Sequence, residues 1–573
     1  MRNTNLARTV WVFFFMLCIE AGICQAATSS TTSFYVDANF AGSSRTGSAS
    51  NPWQSLNDNG AWTAINNALA SGPVTVYFSA RQPSSNTNEV STVPLSINRT
   101  DKSTNLLTLD GISQYNTNTA SPSWASNVTT TPCWQSGATT LTCTWYTASK
   151  FQIGATGTGV TIPMTSTSSA SNCEGYITIQ GFKLVRSEGQ IANLTYMHDL
   201  TVQYVEASAV PGGTYGPGVY VGPANSGPCN GTSGPDNVTV QYNYFHDTYE
   251  DCFYDGASTP DPPGYPSSEY SSEKLACGTA CPTGANHVIQ YNTMESCADA
   301  GGVENVGINI KDGHSNLTVR GNTIRATKAG FSPNAIGPGI NLESGGLFDG
   351  NYVEAPATVA IAPQMGWNNS IGRSSLTIQN SIIVNVNNGV GRNSGIEVFG
   401  PNSGANQAWQ SINLYNNSIY NTGQNTGDSC IAIDSGNQSG IATVQNNIVS
   451  TCGGNGLNAA GGTLVAHDYN AYYNTTSSPI SYGGSTSCSG ITGSEPHSLC
   501  ANPQFVSSGT PYVATNFGLQ SNSPAIAAGT TISPPFPDFL DDTRNVPWDL
   551  GGIAESTAGG PPQAPTGVTA VVN

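Results

Sequence analysis

The sequence predicts an all-β protein folded as a right-handed parallel β-helix, a β-solenoid, with a short capping helix near its N-terminus. Three observations predict this fold: a repeat of about 30 residues, an asparagine that recurs at one position of the repeat, and terminal segments that depart from it. Hydrophobic residues make up 38% of the chain and recur regularly, so a packed fold is favoured over disorder although only 9% of the residues are charged.

The first part of the repeat is a short strand-like segment that ends in asparagine or, once, serine. Its copies end at Asn243, Asn292, Asn322, Asn351, Ser381, Asn417 and Asn447. From Asn292 onward the spacing is 29 to 36 residues, which suits one coil of a β-solenoid. Alternating apolar residues should point inward, and stacked coils should pair their strands in parallel. Asparagine tolerates left-handed backbone and its amide can bond its counterparts in neighbouring coils, so we expect an asparagine ladder.

A second strand-like element follows each asparagine. Its copies span residues 218–222, 251–255, 307–311, 339–343, 358–362, 395–399, 430–434 and 456–460. The second and fourth residues of most copies are apolar and should face inward, which leaves the third and fifth facing outward. This pattern predicts a second sheet. A β-propeller or sandwich is the alternative, but both need antiparallel hairpins, and Asn-Gly turn signals are sparse.

The two ends of the chain differ from the repeat. Trp62, Ile65 and Leu69 lie at helical spacing, so Ala61–Ala70 is predicted as a helix that covers the open end of the core. We divide the chain into a signal peptide (1–27), an N-terminal strand and cap (28–80), the β-helix (81–510), a C-terminal cap (511–557) and a proline-rich tail (558–573).

The first residues are predicted to direct export. Arg2 and Arg8 precede the apolar run Val10–Ile19, and small residues follow at Ala26 and Ala27. This order is typical of a secretory signal peptide, and the run is short for a membrane span, which is the alternative. We therefore expect a secreted or periplasmic protein, monomeric and without a membrane span.

The charge balance restricts the partners. The formal net charge is −18, which disfavours nucleic acid because nucleic-acid binding needs a basic surface. The same charge repels an anionic polysaccharide unless a cation such as Ca²⁺ lies between them.

Cysteine usage indicates disulfides. The chain has 14 cysteines, and in an exported protein these are more often paired than metal-bound. Two pairs could close single loops and four further cysteines leave their pairing open: Cys133 with Cys143, Cys488 with Cys500, and Cys277 and Cys281 with each other or with Cys252 or Cys297. No two histidines stand at ligand spacing in the sequence, which disfavours a zinc site.

The terminal segments also carry a resemblance. Phe34–Leu69 at one end, and Ser523–Ile526, Asp541–Arg544 and Trp548–Gly551 at the other, resemble the opening and closing runs of secreted right-handed parallel β-helix proteins of the pectate-lyase-like family. Together with the coils between them, they cover nearly all of the mature chain. The resemblance implies the fold and an extracellular polysaccharide as partner, whereas the activity varies within such folds.

The predicted stacking brings charged residues together. Asp255, Lys311 and Glu343 hold the fifth position of three successive copies, so we expect them side by side on the outer surface, about 4.8 Å apart. Further residues are expected to bind substrate on the same face or at its rim: Asn309, Asn341, Glu397, Tyr220, Phe253 and His314. The segment 258–284 should form a loop beside this groove.

A polysaccharide lyase is the favoured function. Lyases that this chain resembles use Lys or Arg as the base of a β-elimination and Ca²⁺ held by acidic residues. The resemblance assigns Lys311 as the base, and Asp251, Asp255 and Asp299 as calcium ligands, because hard cations take clustered oxygens. Carboxylates beside a lysine stabilise its charged form and oppose this role, which bound Ca²⁺ would reverse.

The sequence also allows other functions. An inverting glycoside hydrolase could use Asp255 and Glu343, because two coils separate backbones by about 9.6 Å, close to the ~9.5 Å upper limit for inversion. The motif set of polygalacturonase-like hydrolases is not found. The charged row could instead be an exposed ion-pair ladder of little energy, or the chain a non-catalytic adhesin or glycan-binding scaffold.

Overall fold

The computed structural model describes most of the chain between residues 31 and 555. The described ranges are 31–79, 90–111, 150–155, 162–169, 173–186, 190–209, 218–222, 237–248, 250–256, 284–297, 306–311, 314–325, 339–342, 345–356, 358–363, 375–386, 393–399, 409–423, 427–434, 440–459, 463–510 and 512–555. The predicted signal peptide and proline-rich tail, with Cys133, Cys143, Cys277 and Cys281, lie outside these ranges.

Each full coil contributes one strand to each of three parallel sheets. Within the described residues, sheet 1 contains β1 Thr32–Val36, β2 Val74–Phe78, β5 Leu107–Asp110, β8 Glu174–Gln180, β11 Met197–Gln203, β14 Val238–Gln241, β18 Val288–Gln290, β22 Thr318–Arg320, β25 Gly346–Asp349, β28 Ser375–Gln379, β31 Ser411–Tyr415, β34 Ala442–Gln445 and β37 Leu464–Asp468.

The other two sheets follow sheet 1 around each coil. Sheet 2 contains β3 Val90–Ser91, β6 Phe151–Ile153, β9 Phe182–Arg186, β12 Glu206–Ala209, β15 Tyr244–His246, β19 Thr293–Glu295, β23 Thr323–Arg325, β26 Tyr352–Glu354, β29 Ile382–Val386, β32 Ser418–Thr422, β35 Ile448–Cys452 and β38 Ala471–Thr475. Sheet 3 contains β4 Leu95–Ile97, β7 Met164–Ser166, β10 Ala192–Thr195, β13 Val219–Gly222, β16 Phe253–Asp255, β20 Ile308–Ile310, β24 Ile340–Leu342, β27 Ile361–Pro363, β30 Ile396–Val398, β33 Ser429–Ile433, β36 Asn455–Ala459, β39 Ile480–Tyr482 and the antiparallel β40 Ser485–Thr486. A separate pair is formed by β17 Gly284–Ala285 and β21 His314–Ser315.

This architecture confirms the predicted right-handed parallel β-helix. Strands of successive coils pair in register, as where Val240 of β14 lies opposite Ile289 of β18. One continuous apolar core follows the helix from Val36 to Ile491. The sequence predicted two sheets, whereas the structure has three, because sheet 2 begins directly after each ladder asparagine.

The asparagine ladder forms as predicted at the corner between sheets 1 and 2. Asn243, Asn292, Asn322 and Asn351 are buried, and each of the first three donates its amide to the side-chain oxygen of the next at 2.9–3.0 Å. The left-handed backbone, however, belongs to the preceding residue, for example Tyr242, whose φ is 55°. The ladder asparagines therefore provide hydrogen bonds and leave the turn to their neighbours.

Both ends of the core are covered. At the N-terminal end α1, Ala61–Leu69, buries Ala61, Ile65 and Leu69, which confirms the predicted helix. At the other end the 3₁₀ turn Cys488–Gly490 leads into α2, Ile491–Ser494, and Ile491 joins the core. A disulfide between Cys488 and Cys500 closes this cap, as the sequence indicated.

The predicted C-terminal cap packs against the side of the β-helix. Residues 512–555 include a 3₁₀ turn, Ala514–Phe517, and bury a second apolar cluster with sheet 2. Arg544 donates to Asn380 Oδ1 at 2.6 Å, and Asn416 and Asn446 donate to backbone carbonyls of the same segment. The end of the last coil is instead covered by the Cys488–Cys500 segment.

Two other disulfides join described residues. Cys252 pairs with Cys297, and Cys430 pairs with Cys452, each linking neighbouring coils near the core. Within the described ranges, no helix is long and apolar enough to cross a membrane.

Candidate functional site

The outer face of sheet 3 presents the row that the sequence predicted, with one change. The register aligns Tyr220, Tyr254, Asn309 and Asn341 on four successive strands from β13 to β24. Glu397 of β30 lies farther along the same row, since Ile361 pairs with Ile396. The row therefore combines aromatic rings and amides on one surface.

The change concerns β16, where the predicted register is wrong by one residue. Asp255 pairs with Ile310 and Phe253 with Ile308, so both side chains face the interior and are fully buried. A shift of one residue exchanges the two faces of a strand. Tyr254 therefore takes the outward position that was predicted for Phe253, and Asp255 does not stand beside Lys311 on the surface.

Lys311 lies directly after β20, on the outer side. Its ammonium group is 5.7 Å from the centroid of the Tyr254 ring, a cation–π contact, and the side chain is almost completely buried. Tyr220 meets Tyr254 edge to face at 4.9 Å. The pairing of Ile310 with Leu342 leads toward Glu343 in the next coil, but Glu343 lies outside the described residues.

The amides of the row are already hydrogen-bonded to one another. Asn341 donates to Asn309 Oδ1 at 3.1 Å, and Asn309 donates to Asp251 Oδ2 at 2.9 Å. The backbone N–H of Val306 donates to the other oxygen of Asp251 at 2.9 Å. This chain of bonds is buried and holds three successive turns in place.

The described acidic residues do not assemble the predicted calcium site. Asp251 bonds with Asn309 on the outer face, whereas Asp255 points into the interior. Two carboxylates on opposite faces of one sheet do not converge on a single ion. Asp299, the third predicted ligand, lies outside the described residues.

Behind Lys311, the interior holds a polar cluster. Asp255 Oδ2 lies 2.8 Å from His287 Nδ1, and Asp255 Oδ1 lies 3.1 Å from His314 Nε2. All three side chains are buried, so His314 is not at the rim of a groove as predicted. Burial alone raises the pKa of Asp255, but the two imidazoles outweigh it and hold this pKa well below its usual range.

A charged cluster on the outer face of sheet 2 was not predicted from the sequence. Glu206 of β12 accepts Lys183 Nζ at 2.6 Å and lies 3.5 Å from Lys150 Nζ and 3.7 Å from His246 Nε2. Burial raises the pKa of Glu206, but these neighbours outweigh burial and bring the pKa to about 2. Glu206 and its three partners come from four different coils, so no local motif marked them.

Polar groups thus gather on two faces of neighbouring coils. Sheet 3 offers Lys311 with two tyrosines, an arrangement that can place a cation beside a sugar ring. Sheet 2 offers a network of ion pairs in which Glu206 is engaged by three cationic groups. The sheet 3 row is the better candidate functional site because it sets two partly exposed tyrosines side by side, whereas the carboxylate on sheet 2 is already engaged in ion pairs.

Comparison with solved structures gives matches of low TM-score and low identity. The crystal structure of pectate lyase Pel9A has a TM-score of 0.39 at 13% identity, over 93% of this chain and 98% of that chain. The catalytic unit of a GH87 α-1,3-glucanase from Streptomyces thermodiastaticus strain HF3-3 has a TM-score of 0.33 at 12% identity, over 77% of this chain and 65% of that chain. The surface adhesin PfbA of Streptococcus pneumoniae has a TM-score of 0.37 at 12% identity, over 73% of this chain and 86% of that chain.

The sequence comparisons gave no match, either to a protein-family model or to a curated protein. The structural neighbours include a lyase, a glycosidase and an adhesin, so they do not agree on one activity.

Proposed function

We propose that this chain is an exported, polysaccharide-active β-helix protein that binds its substrate on the outer face of sheet 3 and cleaves a uronate-containing glycan by β-elimination. The single observation that carries the proposal is the placement of Lys311 Nζ over the outward Tyr254 ring, 5.7 Å from its centroid. It puts a basic group and an aromatic surface on one face of the β-helix.

Export is supported by cysteine pairing and by the start of the sequence. The disulfides Cys252–Cys297, Cys430–Cys452 and Cys488–Cys500 suit an oxidising compartment. The basic and apolar segments at residues 2–19 are typical of a secretory signal.

Glycan binding is supported by the aromatic part of the row. Tyr220 and Tyr254 lie on adjacent strands with part of each ring open to solvent, and tyrosine rings combine an apolar face with a polar tip. A cation nearby also favours an anionic sugar, which the net charge of −18 would otherwise repel.

Lys311 provides the chemistry in this proposal, and because its side chain is almost completely buried, the substrate must displace the groups that cover it. As a neutral amine it takes the proton from C5 of the uronate, and the electrons of the broken C–H bond form a C4–C5 double bond. The C4–O bond to the leaving sugar breaks, and the departing oxygen takes a proton from water. The hydroxide that remains takes the proton from the Lys311 ammonium group, which restores the neutral amine. The product carries a new unsaturated uronate.

The test is incubation of the full chain with pectic, alginate and neutral glycans, with ultraviolet absorbance and reducing ends measured together. We expect both signals to rise on a uronate glycan. Lys311→Met should lower the initial rate by at least about 100-fold, since a general base contributes 10²–10⁴-fold. Lys102→Met, which removes an exposed lysine from another coil, should leave the rate unchanged.

Three outcomes would overturn the β-elimination. Reducing ends without absorbance would make the protein a glycoside hydrolase. Binding without any product would make it an adhesin or scaffold. Full activity of Lys311→Met would remove Lys311 as the base.

A further inference from the structure

The buried cluster of Asp255, His287 and His314 is unusual for the positions it occupies. Asp255 lies between Val221 and Ile310 in its inward column, and His287 lies between Val238 and Leu317 in another. Neighbouring coils fill these positions with aliphatic side chains that build the core. Burying a carboxylate and imidazoles there is costly unless each finds a strong partner.

The three groups converge from separate segments. Asp255 ends β16, His287 directly precedes β18, and His314 begins β21. One nitrogen of each histidine and one carboxylate oxygen all lie within 4.8 Å of one another. The imidazole rings are 4.7 Å apart and inclined by 68°, so their edges can face a common point.

A hydrogen bond fixes the orientation of His314. Its Nδ1 lies 2.9 Å from the backbone carbonyl of Lys311. A carbonyl only accepts, so Nδ1 carries the hydrogen, and in the neutral imidazole Nε2 presents a lone pair toward Asp255 at 3.1 Å. Two acceptors face each other unless a proton or a cation lies between them. An imidazole that donates its other N–H to a backbone carbonyl is the usual support of a metal-bound histidine.

We propose that Asp255, His287 and His314 bind a divalent transition-metal ion, for which Zn²⁺ is the best fit. Two imidazoles and one carboxylate form a ligand set used by zinc, with a fourth position left for water. Ligands about 2.05 Å from a tetrahedral ion stand roughly 3.3 Å apart, and the two oxygens of Asp255 lie 2.8 Å from His287 Nδ1 and 3.1 Å from His314 Nε2. Small side-chain shifts complete the site.

A bound ion would connect Asp255 of sheet 3 with His287, which directly precedes a strand of sheet 1, at a position directly behind Lys311. Its ligand His314 bonds the Lys311 carbonyl, and the Lys311 N–H donates to the carbonyl of Asp255 at 3.0 Å. The ion would therefore set the position of the Lys311 backbone from inside the β-helix. It differs in ligands and location from the calcium site that the sequence predicted.

The test is elemental analysis of the full chain, expressed without a histidine tag and purified without chelator. We expect close to one zinc ion per chain, and after chelation and addition of Co²⁺ a visible absorption band typical of tetrahedral cobalt. His287→Leu places the aliphatic side chain used by the adjacent Leu317, so the fold should tolerate it while zinc and the cobalt band are lost. The control His198→Leu removes a half-exposed histidine elsewhere and should retain both.

Absence of metal from the wild-type chain, together with no cobalt band after addition of Co²⁺, would overturn the proposal. The cluster would then be a buried imidazolium–carboxylate ion pair. Equal metal content in wild type and a folded His287→Leu variant would also overturn it, because the metal would lie elsewhere.

Discussion

A single buried amide serves three successive coils at the corner between sheets 1 and 2. Asn322 accepts the backbone N–H and the amide of Asn292, both at 3.0 Å. It donates to the carbonyl of Ile289 at 2.9 Å and to Asn351 Oδ1 at 3.0 Å. Its side chain is fully buried, so no water replaces these bonds when the amide is removed.

Asn322→Ala is therefore expected to lower the free energy of unfolding by about 3 kcal/mol, because several buried polar groups lose their partners at once. The measurement is the shift of the urea unfolding midpoint. The control is Asn316→Gly, which removes an exposed amide bonded to Asn286 and keeps the left-handed turn, where φ is 53°. It should change stability by less than about 0.5 kcal/mol. Equal losses in both variants would contradict the role of the buried ladder.

Residues that repeat in every coil could be predicted from the sequence, whereas a side-chain orientation that depends on distant residues could not. The asparagine column was predicted because every coil repeats it. The inward orientation of Asp255 was not predicted, because the segment fits an apolar alternation in two registers. Cys252 and Tyr254 could face the core as well as Phe253 could. The buried orientation depends on His287 and His314, which reach Asp255 only after the coils have stacked.

At the scale of elements, the strands of sheet 2 are too short to give a periodic hydrophobic pattern in the sequence. In β15 only Phe245 faces the core, between the outward Tyr244 and His246. Three residues with one inward position give no recognisable alternation. The outward positions of such strands hold the ion pairs around Glu206, which link neighbouring coils.

This network predicts a pH window of stability. The pKa of Glu206 is lowered from 4.5 to about 2, so its contribution is present above pH 4.5 and is lost as the pH falls toward 2. Burial lowers the pKa of His246, but the carboxylates of Asp247 and Glu206 outweigh burial and raise the pKa above 6.5. The contribution of His246 is present below pH 6.5 and is lost as the pH rises through that higher value.

Glu206→Gln should accordingly destabilise the protein most between about pH 4.5 and 6.5, by up to roughly 3 kcal/mol. The difference from wild type should shrink on both sides of this window in thermal melts recorded from pH 3 to 9. Glu295→Gln is the control on the same sheet, since glutamine still accepts the Tyr244 hydroxyl. A loss independent of pH would argue against the ion pairs as its cause.

At the scale of the whole molecule, the C-terminal segment runs along the outside of a finished β-helix. Arg544 donates to Asn380 and to the carbonyls of Gly551 and Gly552, and its guanidinium lies 5.5 Å from the Trp548 ring centroid. The sequence predicted a distinct C-terminal unit but not its location, because coil partners such as Asn380 and Asn416 lie more than 100 residues from the groups they contact.

Arg544→Met should release this segment without unfolding the coils. Losing these bonds costs about 2 kcal/mol, which would speed cleavage within residues 512–555 roughly 30-fold under limited proteolysis. Mass spectrometry of the fragments identifies the cut sites. Arg45→Met, which removes an exposed ion pair with Asp58 near the other end, should leave the pattern unchanged. First cuts within the coils would show that the segment supports the entire fold.

The claim that sheet 3 carries the glycan-binding face is tested most directly by a pair of tyrosines in one coil. Tyr254 lies outward on sheet 3, and Tyr244 lies outward on sheet 2, both half-buried. Affinity electrophoresis in gels containing pectic or alginate polysaccharide compares Tyr254→Ala with Tyr244→Ala. We predict that Tyr254→Ala weakens binding by about tenfold, as expected for one lost ring contact, and that Tyr244→Ala leaves binding unchanged. Unchanged binding by Tyr254→Ala, or a loss confined to Tyr244→Ala, would contradict this assignment.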